Sequence, residues 1–357
     1  MDLPDDPVDV LVVGAGQAGL GTAHALARAG VRDVLVLDAA EVGSSWLRRW
    51  DSLRLFTDRR FSRLPGLRFP RGAHRFPSRL EMAAYLHDYA GALDVPVRTG
   101  TPVERLTREG GLLVAATPAG PVRARQVVVA NGPFRRPRVP AQAAGLDPAV
   151  LQLHSAGYRR PADVPPGPVL VVGGGNSAAQ LAVELARSGR EVTVAAPREP
   201  WYRSQTTLGI SLHRWLLLSG VLNAGSRTPL SRYLRRRGDV VVGRELQHAL
   251  EAGALRLLPH RLTSASGTRT GLADGTSLEV AAVLWCTGFL PDTAWVQIPG
   301  ATDAAGTPVH SRGASPVPGL HWMGLPWQTR VNSSLVDGVD RDARRTAARI
   351  RRALRAG

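Results

Sequence analysis

Two stretches of the sequence place glycines where a chain must turn tightly beside a phosphate. They are VLVVGAGQAGL at residues 10–20 and VLVVGGGNSAAQ at 169–180. In the first, Gly14, Gly16 and Gly19 satisfy G-x-G-x-x-G, with Ala15, Gln17 and Ala18 between them. Each glycine has a reason: Gly14 for the tight turn, Gly16 for backbone approach to a pyrophosphate, Gly19 for close packing of helix on strand. The helix that follows offers free N–H groups and a partial positive charge to phosphate oxygens. Asp38, twenty-four residues after Gly14, stands where a carboxylate accepts hydrogen bonds from a ribose diol.

The second turn has Gly173 and Gly175, with Ala178 in the third position. Aligning the helix ends at Gly30 and Gly189 sets Asp38 opposite Ala196, with Arg198 two residues beyond. Loss of the acid and gain of a guanidinium is the pattern expected where a 2′-phosphate must be held, which favours NADPH over NADH. Two such turns in one chain suit a resident dinucleotide that acts as redox centre and a visiting one that delivers hydride. The acid-bearing turn is therefore expected to hold FAD and the second NADPH.

The elements that must position these turns are legible as an α/β pattern. VDVLVV and DVLVLD alternate with a helix ending near Gly30, and VLVV and EVTVAA flank a second helix. SRLEMAAYLHDYAGAL reads as a helix, with Ser78 as its N-cap and Glu81 completing a capping box. Asp274-Gly275 reads as a hairpin turn feeding the buried strand AAVLW. In DRDARRTAARIRRAL, Ala343, Ala347, Ile350 and Leu354 share one face of a docking helix whose other faces carry Arg. SLHRWLLLSGVL suggests an amphipathic helix and YLRRRGD a basic turn, in a region over 200–250 that resists assignment.

The 357 residues suffice for two domains with cores of their own. The single cysteine, Cys286, excludes an internal disulfide and a C-x-x-C redox pair. No signal-peptide pattern or spanning apolar run is present, so the expected setting is cytoplasmic, with no membrane partner. All 45 basic residues are Arg, giving a net charge of +16. They are scattered, and no nucleic-acid-binding motif accompanies them, so nucleic acid is not expected as a partner.

Several segments resemble, in order, those of the flavin-containing monooxygenases, closest to a short bacterial branch: GSSWLRRWDSLRLFT, QLHSAGYRRP, GGGNSAAQ, LWCTGFLPD and GLPWQTRVNSSLVDGVDRDA. The resemblance implies two Rossmann-like domains, with an NADPH-binding domain (156–282) inserted into an FAD-binding domain split over 1–155 and 283–357. It implies that NADPH reduces the flavin, O2 adds to it, and a peroxyflavin passes one oxygen to a small organic substrate at nitrogen, sulfur or carbon. It carries FAD roles to Gly14, Ala15, Gly16, Gln17, Ala18, Gly19, Asp38, Ser45, Trp46, Asn131, Gly132, Ser333 and Ser334. NADPH roles fall to Gly173, Gly175, Asn176, Ser177, Arg198 and Thr287. Ser333-Ser334 would open a helix beside the flavin pyrimidine, and Trp327 and Gln328 are candidates for the substrate pocket.

Departures from the family pattern matter too. Where animal-type members carry an Asn near the flavin, this chain has Phe56, followed by Thr57. Phenylalanine cannot donate a hydrogen bond, so Thr57 or bound NADP+ must substitute. Tyr158-Arg159 stands where a Baeyer–Villiger enzyme shows Trp-Pro, which argues against ester formation. His154 reads as a hydrogen-bonded hinge residue, and the nine His show no metal-ligand spacing. Two alternatives stay open: a flavoprotein oxidase or reductase that releases peroxide without oxygen insertion, and an NADPH-sensing regulator without catalysis. Homodimerisation also stays open.

Overall fold

The computed structural model describes residues 3–238 and 240–356. The first sheet is built on β1 (Val8–Val13), β2 (Val34–Leu37) and β3 (Val97–Arg98), with β4 (Arg105–Glu109), β5 (Leu112–Thr117) and β6 (Gly120–Val129) on the other side, in the order β3-β2-β1-β6-β5-β4. Val and Leu crowd β1 and β2 because parallel strands at the centre of a sheet are buried on both faces. The long β6 lies parallel to β1, and its two halves use their other edge differently: the first pairs antiparallel with β5, the second parallel with β21 (Leu320–Trp322).

Helices α1 (Gln17–Arg28), α2 (Ser44–Leu47) and α3 (Arg79–Gly91) belong to this unit, and α3 carries the complete Ser78/Glu81 capping box. The C-terminal helix α8 (Val339–Ala356) docks on α1 through the expected stripe: Ala343, Ala347 and Ile350 are fully buried.

The second sheet is wholly parallel, in the order β15-β10-β9-β19-β8. Its strands are β8 (Leu151–His154), β9 (Pro168–Val172), β10 (Glu191–Ala195), β15 (Arg256–Leu258) and β19 (Ala282–Trp285), and α4 (Asn176–Arg187) and α7 (Glu245–Glu251) cover one face. The other face is closed by a short three-stranded sheet, β16 (Leu262–Ser266), β17 (Arg269–Leu272) and β18 (Ser277–Glu279), the last two joined by the Asp274-Gly275 turn. Small ladders complete the fold: β7 (Arg136–Pro137) with β20 (Phe289–Leu290) at the crossing, β11 (Tyr202–Arg203) with β14 (Val241–Val242), and β12 (Thr206–Thr207) with β13 (Ile210–Ser211).

Two expectations shift. A division at 155/156 leaves β8 outside the sheet it joins, and one at 282/283 cuts through β19. The 200–250 region contains α5 (Leu212–Leu218), α6 (Pro229–Arg237) and all but the last residue of α7, so YLRRRGD is helix for most of its length. Thr228 caps α6 and Pro229 occupies its first turn, a start signal upstream of the arginine run.

Candidate functional site

Both glycine turns follow a strand flanked on both sides by parallel neighbours, at the point where strand order reverses, the position at which open α/β sheets receive ligands. After β1, Gly14 adopts φ +112°, and a Cβ there would lie 2.5 Å from the Ala130 carbonyl oxygen. A Cβ on Gly19 would lie 1.7 Å from the Gly14 oxygen. At Gly16 the opposite holds: no atom comes within 4 Å. This glycine therefore keeps space for something outside the protein. Gly16 is the N-cap of α1, with no side-chain cap and no acid in the first turn, so the orphan N–H groups face the same open space.

Asp38 braces this turn. Its Oδ2 accepts from the Ala15 N–H at 2.6 Å and its Oδ1 from the Ala40 N–H at 2.9 Å. A carboxylate has about four acceptor positions, so capacity for a diol remains. Ala18 packs under Gly324, where a Cβ would meet it at 2.8 Å. Gln17 donates to the Ser334 carbonyl at 3.1 Å, tying the start of α1 to the C-terminal segment. Ser45 is exposed on α2, while Trp46 packs half-buried on the core. Asn131 donates to the Asp292 carbonyl at 2.8 Å, and Gly132 turns at φ +76° into open space.

The second turn repeats the construction. Gly173 has φ +138°, and a Cβ would strike the Cys286 oxygen at 2.3 Å. Gly175 has nothing within 4 Å and heads α4 with no side-chain cap and no acid in its first turn. Gly174 brings the turn against Ala196, whose Cβ would be 3.1 Å from an added one. No carboxylate stands where β10 ends, and Arg198 lies exposed just beyond it. Ser177 sits half-buried at the same turn.

Asn176 is engaged in the fold: its amide donates to the Val240 carbonyl and accepts from the Val242 N–H, both at 2.8 Å. Thr287 likewise hydrogen-bonds the Arg138 carbonyl and holds the interdomain crossing. His154 serves as the hinge residue. Its Nδ1 accepts from the Ala156 N–H at 3.1 Å, so its Nε2 carries the proton toward the Gly288 carbonyl at 2.9 Å, and burial lowers its pKa.

Within the segment Phe56–Ser62, hydroxyls and carbonyls bond to one another. Thr57 is buried, its Oγ1 2.7 Å from Ser62 Oγ, and Ser62 Oγ lies 3.1 Å from the carbonyls of Thr57 and Asp58. Ser62 has one proton to give those carbonyls, so the Thr57 proton goes to Ser62. Phe56 is half-buried.

The Ser333-Ser334 expectation needs correcting. Both lie in a turn, and α8 begins only at Val339 after a 3-10 turn at Val336–Gly338. The chain doubles back here: Asn332 donates to Asp337 at 3.0 Å, and a Cβ on Gly338 would be 1.8 Å from the Asn332 oxygen. The Ser333 hydroxyl is buried and accepts from the N–H groups of Thr329 and Arg330, both at 3.0 Å. Gln328, 2% exposed, bonds only within its own loop, to the Leu325 N–H and the Met323 sulfur, and so offers a substrate nothing polar. Trp327 turns through φ +58° and lies 5.0 Å under the Arg235 guanidinium.

Other residues join these sites only through folding. Arg198 donates to the Arg236 carbonyl at the end of α6, and Arg203 and Arg237 stack on Trp201 at 4.7 and 4.2 Å. This assembles a basic collar beside the second turn, for which the run YLRRRGD was the visible signal. Buried His213 of α5 lies 3.0 Å from Asp337, clamping the 200–250 region to the Ser333 turn. Beyond Thr57 opens a cavity of about 480 Å³ whose lining includes Asp58, Arg60, Phe61, Arg71 and Arg214.

A profile described as pyridine nucleotide-disulphide oxidoreductase matches residues 11–220. The chain is 38% identical to the oxidoreductase CzcO-like of Geobacillus kaustophilus, over 94% of this chain and 96% of that protein. A flavin-containing monooxygenase from Stenotrophomonas maltophilia superposes with a TM-score of 0.82 at 30% identity, covering 98% of this chain and 99% of that one. Indole-3-pyruvate monooxygenase YUCCA1 of Oryza sativa subsp. japonica is 33% identical over 58% of this chain and 53% of that protein. Flavin monooxygenases of this family use FAD and NADPH. The chain belongs to the pyridine nucleotide-disulphide oxidoreductase family, among its flavin-containing monooxygenases.

Proposed function

We propose that the protein is an NADPH-consuming flavin monooxygenase that inserts one oxygen atom of O2 into a small organic substrate at nitrogen, sulfur or carbon. The observation that carries this reading is the pair of matched turns: two uncapped helix N-termini, each behind a glycine with free space beyond it, on two separate sheets. The residues fit the groups. Gly14, Gly16, Gly19 and the head of α1 would hold the FAD pyrophosphate, braced by Asp38. Gly173, Gly175 and the head of α4 would hold that of NADPH, with Arg198 and its collar at the 2′-phosphate. FAD, once bound, supplies hydride acceptance and oxygen chemistry, and the protein binds, orients and excludes water. The inserted unit would run from about residue 141, where a 3-10 turn first packs on β16, to the crossing after Trp285.

Disulphide reduction has no support, because the chain has a single cysteine and desolvation pushes the Cys286 thiol up to about 12. One observation does favour a second reading, an NADPH oxidase. The Phe56 side chain has no donor and the Thr57 hydroxyl is paired with Ser62, so neither side chain offers reduced flavin a free hydrogen-bond donor.

The test is anaerobic reduction of the FAD-loaded protein by NADPH, then rapid mixing with oxygenated buffer. A near-ultraviolet transient preceding the oxidised flavin spectrum is the monooxygenase result. Direct recovery with one peroxide per NADPH, at every substrate tried, is the oxidase result. Arg198→Gln is expected to raise KM for NADPH by about tenfold, the loss of one charge-assisted phosphate contact, and to leave KM for NADH unchanged.

A further inference from the structure

A second basic cavity lies away from both glycine turns. It has a volume of about 540 Å³ and is bounded by the start of α6, the Thr329–Arg330 loop and the first turns of α8. Arg227, Arg312, Arg330, Arg341 and Arg345 line it, and none of its lining residues is a carboxylate. We propose that this cavity binds a small, multiply charged organic oxyanion, a phosphate ester or a polycarboxylate.

The first argument is charge without ion pairing. Among the described residues Arg227, Arg312, Arg341 and Arg345 form no ion pair, although Arg344 on the same helix pairs with Asp340 and Arg59 pairs with Glu81. Arg341 and Arg345 stand four apart on α8, where like charges repel. Asp342, Asp337 and Asp340 offset part of the charge at Arg330 from a distance, but their hydrogen bonds and ion pairs go elsewhere: Asp342 takes the Thr329 hydroxyl, Asp337 the His213 ring and the Asn332 amide, Asp340 the Arg344 guanidinium.

The second argument is Arg330. It is 9% exposed, its Nη1 donates to the neutral Asn223 Oδ1 at 2.7 Å, and its buried Nε has no partner. A buried guanidinium with an idle donor costs free energy that an anion would offset. Burial, and then Arg341, lower its pKa, and Asp342, Asp337 and Asp340 only partly offset this. The loop that carries it is fixed, through a bridge from Gly225 to Arg330 and a 2.8 Å hydrogen bond from the Ser226 N–H to the Thr329 carbonyl.

The third is backbone geometry at the rim. Arg312 adopts φ +51°, a region a non-glycine residue occupies at some cost. Thr228 stands on the same wall at the head of α6, its hydroxyl bound to Ser231. The volume is that of a metabolite site rather than an ion site. Arg198 meets α6 at its opposite end, and nine helical residues span about 13 Å, so the cavity is separate from the expected 2′-phosphate position.

The experiment is calorimetric titration of the full chain, saturated with FAD and NADP+ so that the dinucleotide turns are filled. Inorganic pyrophosphate is one probe and citrate the other. Saturable binding that weakens with added NaCl is expected. It should fall by about tenfold or more in Arg341→Gln/Arg345→Gln and in Arg227→Gln, and hold in Arg198→Gln. Arg227 and Arg341 are exposed, on separate elements, so equal losses in both variants exclude a folding defect of α8. Preference for pyrophosphate identifies phosphate esters, and equal or better binding of citrate identifies polycarboxylates. Absence of saturable binding, or binding equal in wild type and both variants, overturns the proposal. The readout needs no turnover, so a failed monooxygenase assay leaves it untouched.

Discussion

At the scale of single residues, the glycines of the two turns do different work and substitution separates them. Gly14, Gly19 and Gly173 are glycine because a side chain would strike backbone, whereas Gly16 and Gly175 face open space in extended conformations that alanine adopts. Gly16→Ala is expected to fold normally yet lose FAD, by about tenfold or more in affinity, because its methyl occupies the approach to the pyrophosphate. Gly175→Ala should keep its flavin and its melting temperature while KM for NADPH rises. Flavin content after gel filtration and the two KM values check both. These glycines were legible in the sequence because their requirement is local, a turn between a strand and a helix. The commitments of Thr57, Asn176 and Gln328 were not, since a side chain that can hydrogen-bond carries no mark of the partner it will find.

At the scale of elements, the contact between α1 and α8 is the most demanding. A Cβ on Gly21 would lie 2.5 Å from the Val339 Cγ1, so the helices meet with no room between them. Gly21→Ala should cost about 1–3 kcal/mol by overpacking, and Gly21→Ala/Val339→Ala should recover most of it by removing the opposing methyl. Urea unfolding of the three variants completes the cycle. A rescue of this kind would show that Gly21 is a packing residue, with the α1 N-terminus unaffected. The amphipathic stripe of α8 was readable from its 3.6-residue period. Its true start was not: the Asn332–Asp337 bond and the close approach at Gly338 delay the helix past Ser333-Ser334.

At the scale of the whole molecule, acid stability follows from histidines buried in the neutral form. His321 is 5% exposed, donates to Gln126 at 3.0 Å and has an idle Nδ1; burial, with Arg349 adding to it, pushes its pKa down to about 4. The unfolded chain binds this proton near pH 6.5 and the folded chain does not. The contribution of His321 is therefore complete above pH 6.5 and is lost as pH falls toward 4, about 3 kcal/mol across that window. His154, lowered in the same direction, adds to the slope. His321→Gln should flatten the fall of the urea midpoint between pH 6.5 and 4.5.

What the sequence determined by itself was everything specified by neighbours along the chain. That includes two glycine turns on β-α units, the acid at Asp38 and its absence at Ala196, the capping box on α3, and the order of motifs that marks the family. Folding alone decided which distant residues meet. Sheet pairing carried β8 and β19 into one sheet across the 127 residues of chain between them. Packing brought Arg198 to the end of α6, His213 to Asp337, and five arginines from four segments to one cavity. In a chain whose basic residues are all arginine, composition cannot distinguish the few that converge from the many that face solvent. Only three-dimensional proximity sets their mutual repulsion, and with it the demand for an anion.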